Sequence, residues 1–130
     1  IPKEKRVLIQ MDIEGSEYKI LNSIENETLE RTKVLIVEFH NISFWTNRIY
    51  FEEIVEPALN RIFEYFHPVH VKQNSAVESF KFANYTFSTA LEVTYLSKSE
   101  AFSGRRVSTL PHYLDVSNSP NHRLIPFPRI

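Results

Sequence analysis

Acidic and imidazole side chains that could do acid–base chemistry or hold a cation fall in two short stretches of the chain. Each stretch comes at the end of an apolar run, and together they contain Asp12, Glu14, Glu17, Glu38, His40 and Asn41. Carboxylate oxygens suit a hard cation such as Mg²⁺, with Asp12 and Glu14 as candidate ligands. His40 suits general-base chemistry on an alcohol, because the ordinary pKa of histidine is about 6.5.

Each of these residues also has a purely structural interpretation. Glu14 and Glu17 could complement the dipole at the start of a helix. Asp12 could close a turn by accepting hydrogen bonds from backbone N–H groups. His40 could be a hydrogen-bonded boundary residue at the end of a strand. The residue types alone leave the functional and the structural interpretations open.

The elements that must position these side chains alternate between buried strands and helices. Apolar runs and a period of two predict strands at 6–13, 34–40, 69–72 and 85–96. Apolar residues at helical spacing predict helices over 17–24 and 51–66. Ser16 is a candidate N-cap for the first helix, and Pro57 should kink or restart the second. The polar residues 74–84 predict a loop.

The order of these elements predicts an α/β fold. Two strands joined through a helix should be parallel, and two strands without a helix between them should be antiparallel. We therefore expect two or three parallel strands and one antiparallel strand near an edge, with helices packed on the faces, as in half of a doubly wound sheet. Ligands bind beyond the carboxyl ends of strands in such sheets, where the two polar stretches would meet.

Composition limits the classes of function. The chain has 130 residues, which is the size of a single domain. We predict an α/β domain at 1–97 and an extended arm, rich in Pro, Ser and Asn, at 98–130. The net charge of -1 and the lack of a long apolar run favour neither nucleic acid nor a membrane as a partner. The sequence has no cysteine, which excludes disulfides and thiolate metal sites and fits the cytoplasm.

Glycine content restricts cofactor binding. Gly15 and Gly104 are the two glycines of the sequence, so no phosphate-cradling motif such as GxGxxG can be written. If the fold binds a nucleotide-like cofactor, we expect its glycine-rich loop to lie outside these residues.

Three segments resemble one known family. Residues 11–21, MDIEGSEYKIL, resemble the "K-[IM]-D-[IV]-E-G-[AS]-E-x-x-[VI]-L" segment of FkbM-family methyltransferases, which are class I enzymes that depend on S-adenosylmethionine. Residues 37–40, VEFH, resemble the next strand of that family, and residues 91–96, LEVTYL, its last antiparallel strand. Gln10 departs from the family pattern, which has lysine there, and we expect little consequence.

The resemblance implies both a fold and a set of roles. The chain would form the C-terminal part of a Rossmann-like methyltransferase sheet, in a protein that methylates a hydroxyl of a sugar or natural product. Asp12 would lie beside the cofactor's methyl group, and Asp12, His40 or a bound cation would take the acceptor's proton. Glu14 and Glu17 would support the loop that carries Asp12, and the implied substrate-binding residues are Glu14, Glu17, Glu38 and Asn41.

Two other functions compete with this one. A truncated, non-catalytic domain of the same fold could act as a binding module or form a homodimer through an exposed sheet edge. A metal-dependent hydrolase could use Asp12, Glu14 and Glu38, although the histidines of the sequence lack the paired spacing of a zinc site.

Overall fold

The computed structural model describes residues 6–100 and 110–126. The strands are β1 Val7–Met11, β2 Thr32–Phe39, β3 Phe66–Gln73, β4 Ser79–Phe82, β5 Tyr85–Ser88 and β6 Leu91–Ser97. The helices are α1 Glu17–Ser23, α2 Asn26–Arg31, α3 Arg48–Tyr50 and α4 Glu56–Tyr65, with a 3₁₀ helix at Ile42–Thr46 and a π-helical turn at Phe51–Val55. The fold is therefore mixed α/β, as predicted.

A four-stranded sheet in the order β1-β2-β6-β3 forms the centre of the molecule. The pairing of β1 with β2 is parallel, and β6 is antiparallel to both of its neighbours. Both predicted pairings are confirmed. Because β6 runs against both β2 and β3, the strands β1, β2 and β3 point the same way and end at one edge. Since only the β1–β2 contact is parallel, the layout of a doubly wound sheet is present in part.

The central strand β2 shows how the sheet is buried. Its residues alternate, and Leu35, Val37 and Phe39 are completely buried in one cluster with Leu21 of α1 and Ile62 of α4. The residues between them are partly exposed. Among the described residues the helices thus cover one face of the sheet, whereas we predicted helices on both faces. An apolar residue on the open face has the same sequence signature as one under a helix, so composition did not separate the two cases.

The predicted strand at 85–96 is wrong, because it is two strands. β5 turns back on β4 in a separate two-stranded sheet, and β6 enters the main sheet after a break at Ala90. The hairpin turn is made by Ala83 and Asn84, both with positive φ. The predicted loop at 74–84 therefore contains strand β4. The alternation runs unbroken across both strands, so its period could not reveal the break.

The helical segments also differ from prediction. The predicted helix at 51–66 begins at Arg48 and passes through a π-helical turn just before Pro57, which lies in the first turn of α4. Pro57 lacks a backbone N–H, so the irregular turn falls where a regular hydrogen bond could not form. Helix α2 was not predicted, because Leu29 is its one buried residue and gives no apolar period.

The described part of the predicted arm, residues 110–126, contains neither helix nor strand and contacts the end of β3. Residues 101–109 and 127–130 of the predicted arm lie outside the described residues. In the described parts of the chain, no helix is both long enough and apolar enough to cross a membrane.

Candidate functional site

The polar side chains meet where β1 and β2 end side by side. The imidazole of His40 is central: its Nδ1 lies 2.8 Å from Oε1 of Glu17. Its Nε2 lies 3.7 Å from Oδ1 of Asp12 and 3.6 Å from Oε2 of Glu14. Parallel pairing places the loop after β1 directly beside the end of β2, which is how residues far apart in sequence converge.

Glu17 forms the floor of the site. The residue is completely buried, and its Oε1 also accepts hydrogen bonds from the backbone N–H of Ile13 at 3.2 Å and of Gly15 at 3.1 Å. Burial alone would raise the pKa of this carboxyl group, but the hydrogen bonds from Gly15 and the rest of the loop and from His40 outweigh it, and the pKa is lowered. Glu17 is therefore ionised, and it ties the loop to the histidine.

The loop after β1 has an unusual backbone. Gly15 has a φ of +100°, and a Cβ added there would lie 2.8 Å from Nδ2 of Asn41. Glu14 and Asn41 also have positive φ, at 56° and 59°. Non-glycine residues in this region cost conformational energy and cluster at functional sites. Gly15 is required here for close approach of the two loops, and Asn41 fills the space that its missing side chain leaves.

His40 is held at both its side chain and its backbone. Its carbonyl oxygen accepts a hydrogen bond from the Tyr18 hydroxyl at 2.8 Å, and that hydroxyl accepts one from Nε1 of Trp45, also at 2.8 Å. Burial lowers the pKa of the imidazole, but the hydrogen bond and charge of Glu17, with the charges of Glu14 and Glu38, outweigh it, and the pKa is raised. His40 is therefore a stronger base than a free histidine.

The outer wall of the site is acidic and accessible. Side chains of Asp12 and Glu14 are 54% and 86% exposed, whereas His40 is 15% exposed. Ligand atoms of Asp12, Glu38 and His40 all lie within 4.8 Å of one another. A group that approaches from solvent thus meets carboxylates first and the imidazole Nε2 behind them.

The donor set does not support the predicted Mg²⁺ site. Mg²⁺ prefers an octahedron of oxygen ligands, whereas the cluster includes the imidazole nitrogen of His40. Glu14, one of the two predicted ligands, is not part of that cluster.

The structure thus brings together all six residues that the sequence singled out, in two different environments. Five are at least partly exposed at the strand ends, and Glu17 is buried beneath them. Glu17 is completely buried, and its contacts with the loop and with His40 favour the predicted support of the loop over the predicted substrate contact. Sequence analysis missed Tyr18 and Asn74 as site residues, and neither belongs to a pattern that would have marked it.

Fold and site together define a chain of the α/β class with a cluster of polar side chains beyond the carboxyl ends of its parallel strands. A family model described as "Methyltransferase FkbM domain" matches residues 2–87, a segment that contains every residue of the site. The chain belongs to this family, and the resemblance seen in the sequence is confirmed. Neither the comparison with curated proteins nor that with solved structures found a match.

Proposed function

We propose that the chain forms the acceptor side of an O-methyltransferase site, in which His40 removes the proton of a hydroxyl group while S-adenosylmethionine supplies the methyl group. Family membership supports methyl transfer as the class of reaction. The observation that carries the proposal is the contact of buried Glu17 with Nδ1 of His40, which leaves Nε2 facing the accessible carboxylates. The substrate class that we propose is a sugar or natural product with a free hydroxyl.

The contact with Glu17 sets the chemistry of the imidazole. A neutral His40 that donates its Nδ1–H to Glu17 has its Nε2 lone pair free for the acceptor's proton. Once Nε2 has taken that proton, the ionised Glu17 stabilises the imidazolium. The same pair keeps the ring from rotating, so that the base stays aimed at the acceptor oxygen.

The charge of the site fits the cofactor's reactive end. S-adenosylmethionine presents an electrophilic methyl group on a positively charged sulfur, and the exposed carboxylate of Asp12 would attract that charge. The residues present fit that part of the cofactor only, because two widely separated glycines cannot form a cradle for its nucleotide part. We propose that residues outside this sequence hold the nucleotide part, and that β1, β2, β6 and β3 correspond to the C-terminal half of a Rossmann-like sheet.

The test is methyl transfer by the full-length protein. Labelled S-adenosylmethionine is incubated with a panel of methyl glycosides and simple phenols, and the labelled ethers are identified by mass spectrometry. We expect His40→Gln to lower kcat by about 100-fold, the lower range for a general base. His67→Gln is the matched control, because His67 is exposed at the opposite end of β3. An unchanged kcat in His40→Gln would rule out His40 as the base.

A second candidate function is a non-catalytic module that pairs with a second copy of itself. Among the described residues β1 pairs with β2 alone, so its other edge is open, and Leu8 on this strand is 61% exposed. Edge strands of this kind template pairing with another chain. Light scattering of the full-length protein would show a dimer that Leu8→Lys dissociates. A monomer that transfers methyl groups would exclude this candidate.

A further inference from the structure

The side chain of Asn74 makes a contact in the site that the proposed reaction does not use. Asn74 follows the last residue of β3, and its Nδ2 lies 2.5 Å from Oε1 of Glu38. Glu38 is one of the three side chains whose ligand atoms cluster within 4.8 Å. The contact joins a neutral donor to a carboxylate, so it orients Glu38 without adding a positive charge.

The orientation of the Asn74 amide is fixed by the other bonds of this residue. Its Oδ1 accepts a hydrogen bond from the backbone N–H of Ala76 at 2.8 Å, which closes a tight turn. Its backbone N–H donates to the Ala90 carbonyl at 3.0 Å, and its carbonyl accepts from the Ser88 hydroxyl at 2.6 Å. Because Oδ1 is occupied, Nδ2 is the group that faces Glu38.

The C-terminal arm supports Asn74 from the other side. The neighbouring Ser75 is almost completely buried, and its hydroxyl lies 2.7 Å from that of Ser117 and 3.1 Å from the backbone nitrogen of Asn118. On the other side of Asn74, Nε2 of Gln73 donates to the carbonyl of Pro126 at 3.2 Å. Both neighbours of Asn74 are therefore held by residues more than 40 positions away.

We propose that Asn74 is a positioning residue that orients the Glu38 carboxylate toward a hydroxyl of the methyl acceptor, and that the C-terminal arm keeps Asn74 in place. This inference rests on the proposed function. With Oε1 engaged by Asn74, the second oxygen of Glu38 is the one that can accept a hydrogen bond from the substrate. A polyhydroxylated acceptor, such as a sugar, carries the additional hydroxyl donor that this arrangement recognises.

Asn74→Asp in the full-length protein tests the role. An aspartate keeps the oxygen that the turn requires, but it replaces the donor facing Glu38 with a second negative charge. For the acceptor that turns over in the panel, we expect KM to rise about tenfold, the effect of losing a hydrogen bond to a charged group. We expect kcat to change less than KM, because Asn74 contacts Glu38 and not the base.

Two further variants make this result specific. Adding Glu38→Gln to Asn74→Asp reverses donor and acceptor, so KM should fall again by at least about threefold relative to Asn74→Asp. Asn26→Asp is the matched control, because it makes the same change at an exposed residue that starts α2. A KM for Asn74→Asp that equals the wild-type value, or a double variant without rescue, would overturn the proposal.

A measurement made without substrate tests the contact between Asn74 and Glu38 separately from the proposed positioning role of Asn74. In nitrogen-15 spectra of the full-length protein, the resonances of the side-chain amide protons of Asn74 should shift when Glu38 is replaced in Glu38→Gln, because Nδ2 of Asn74 contacts Oε1 of Glu38. If the shift is absent, the contact and the proposal both fail. If the shift is present while KM does not change, Asn74 has no positioning role although methyl transfer stands. If no acceptor is methylated, the proposed function is wrong, and the proposed role of Asn74 is then wrong as well.

Discussion

Two sides of the site are built in opposite ways. On one side, Glu17 takes hydrogen bonds from Ile13 and Gly15, which are four and two residues away, and needs one distant partner, His40. On the other side, Glu38 depends on Asn74, whose neighbour Ser75 is held by the arm 42 residues further on. The first side is a short motif that carries its own supports, and the second is assembled from three separated segments.

The difference teaches where each side should be sensitive. The side around Glu17 should lose its geometry when one of its own residues is substituted, because few other contacts can replace a lost hydrogen bond. A side assembled from distant segments can lose one support and keep the others. Substitutions should therefore have large effects around Glu17 and graded effects around Glu38.

The largest effect is expected from Glu17→Ala. This change leaves the imidazole of His40 and two backbone N–H groups without their buried acceptor. We expect the free energy of unfolding to fall by roughly 3 to 5 kcal/mol, as when one partner of a buried charged pair is removed. Chemical denaturation of the full-length protein measures the loss. Glu30→Ala is the matched control at an exposed position of α2, and equal losses in both variants would contradict the central role of Glu17.

Gly15→Ala should have the next largest effect. The new Cβ would meet Nδ2 of Asn41 at 2.8 Å, and the backbone would have to keep a φ of +100°. We expect a loss of roughly 1 to 3 kcal/mol from the strained backbone conformation. Adding Asn41→Gly removes the clash but not the strain, so the double variant should recover part of the loss. Full recovery would show that the backbone conformation carries no cost.

The pH dependence of activity tests the Glu17–His40 pair with a substitution that keeps the size of the buried side chain. Burial lowers the pKa of His40, yet its contact with Glu17 and the nearby carboxylates raise it above the ordinary value of 6.5. Because the base must be neutral, kcat/KM should rise with pH through this raised pKa. Glu17→Gln removes the charge, so the rise should move to lower pH. An unmoved profile would mean that another group is the base.

The same two groups act on stability in opposite pH ranges. The raised pKa of His40 contributes stability below pH 6.5 that is lost as pH rises through the folded-state pKa. Burial raises the pKa of Glu17, but its hydrogen bonds outweigh burial and lower that pKa below 4.5. Glu17 therefore contributes stability above pH 4.5, and this stability is lost as pH falls through the folded-state pKa. The free energy of unfolding of the wild type, measured at a series of pH values, should fall on both the acidic and the alkaline side. The change on the alkaline side should be absent in His40→Gln.

The smallest effect is expected from Asn118→Ala in the arm. Asn118 keeps its backbone bond to Ser75 and loses only a long contact of 3.5 Å from the Ser75 nitrogen to its Oδ1. We expect KM for the acceptor to rise about twofold at most, below the cost of a normal hydrogen bond. Val116→Ala is the control, since Val116 is 74% exposed. A tenfold change in Asn118→Ala would show that the arm is a primary support of Glu38.

The same contrast explains how much the sequence predicted. The ends of β1 and β2, their parallel pairing and the meeting of Asp12 with His40 follow from two apolar runs, each closed by polar residues. These are local signals. The complete burial of Glu17 was not predicted, because a carboxylate in the first turn of a helix gives no sign of whether it faces solvent or the core.

What the sequence did not predict depends on long-range pairing. The partner of Glu38 lies in what was expected to be a loop, because Asn74 is polar and stands among polar residues. The boundary between β5 and β6 is set by which sheet each strand joins, not by a change in residue pattern. Such choices are made by tertiary contacts, which a single sequence does not display.

Strand β6 lies between β2 and β3, although it follows both in the chain. Among the described strands, β3 therefore has no neighbour in the main sheet during synthesis until residues 91–97 have left the ribosome. Until then the edges of β2 and β3 stay open to other polypeptides, as with other late-forming non-local pairings. Nascent chains stalled before residue 91 should accordingly bind holdase chaperones, and chains released beyond residue 97 should lose that affinity.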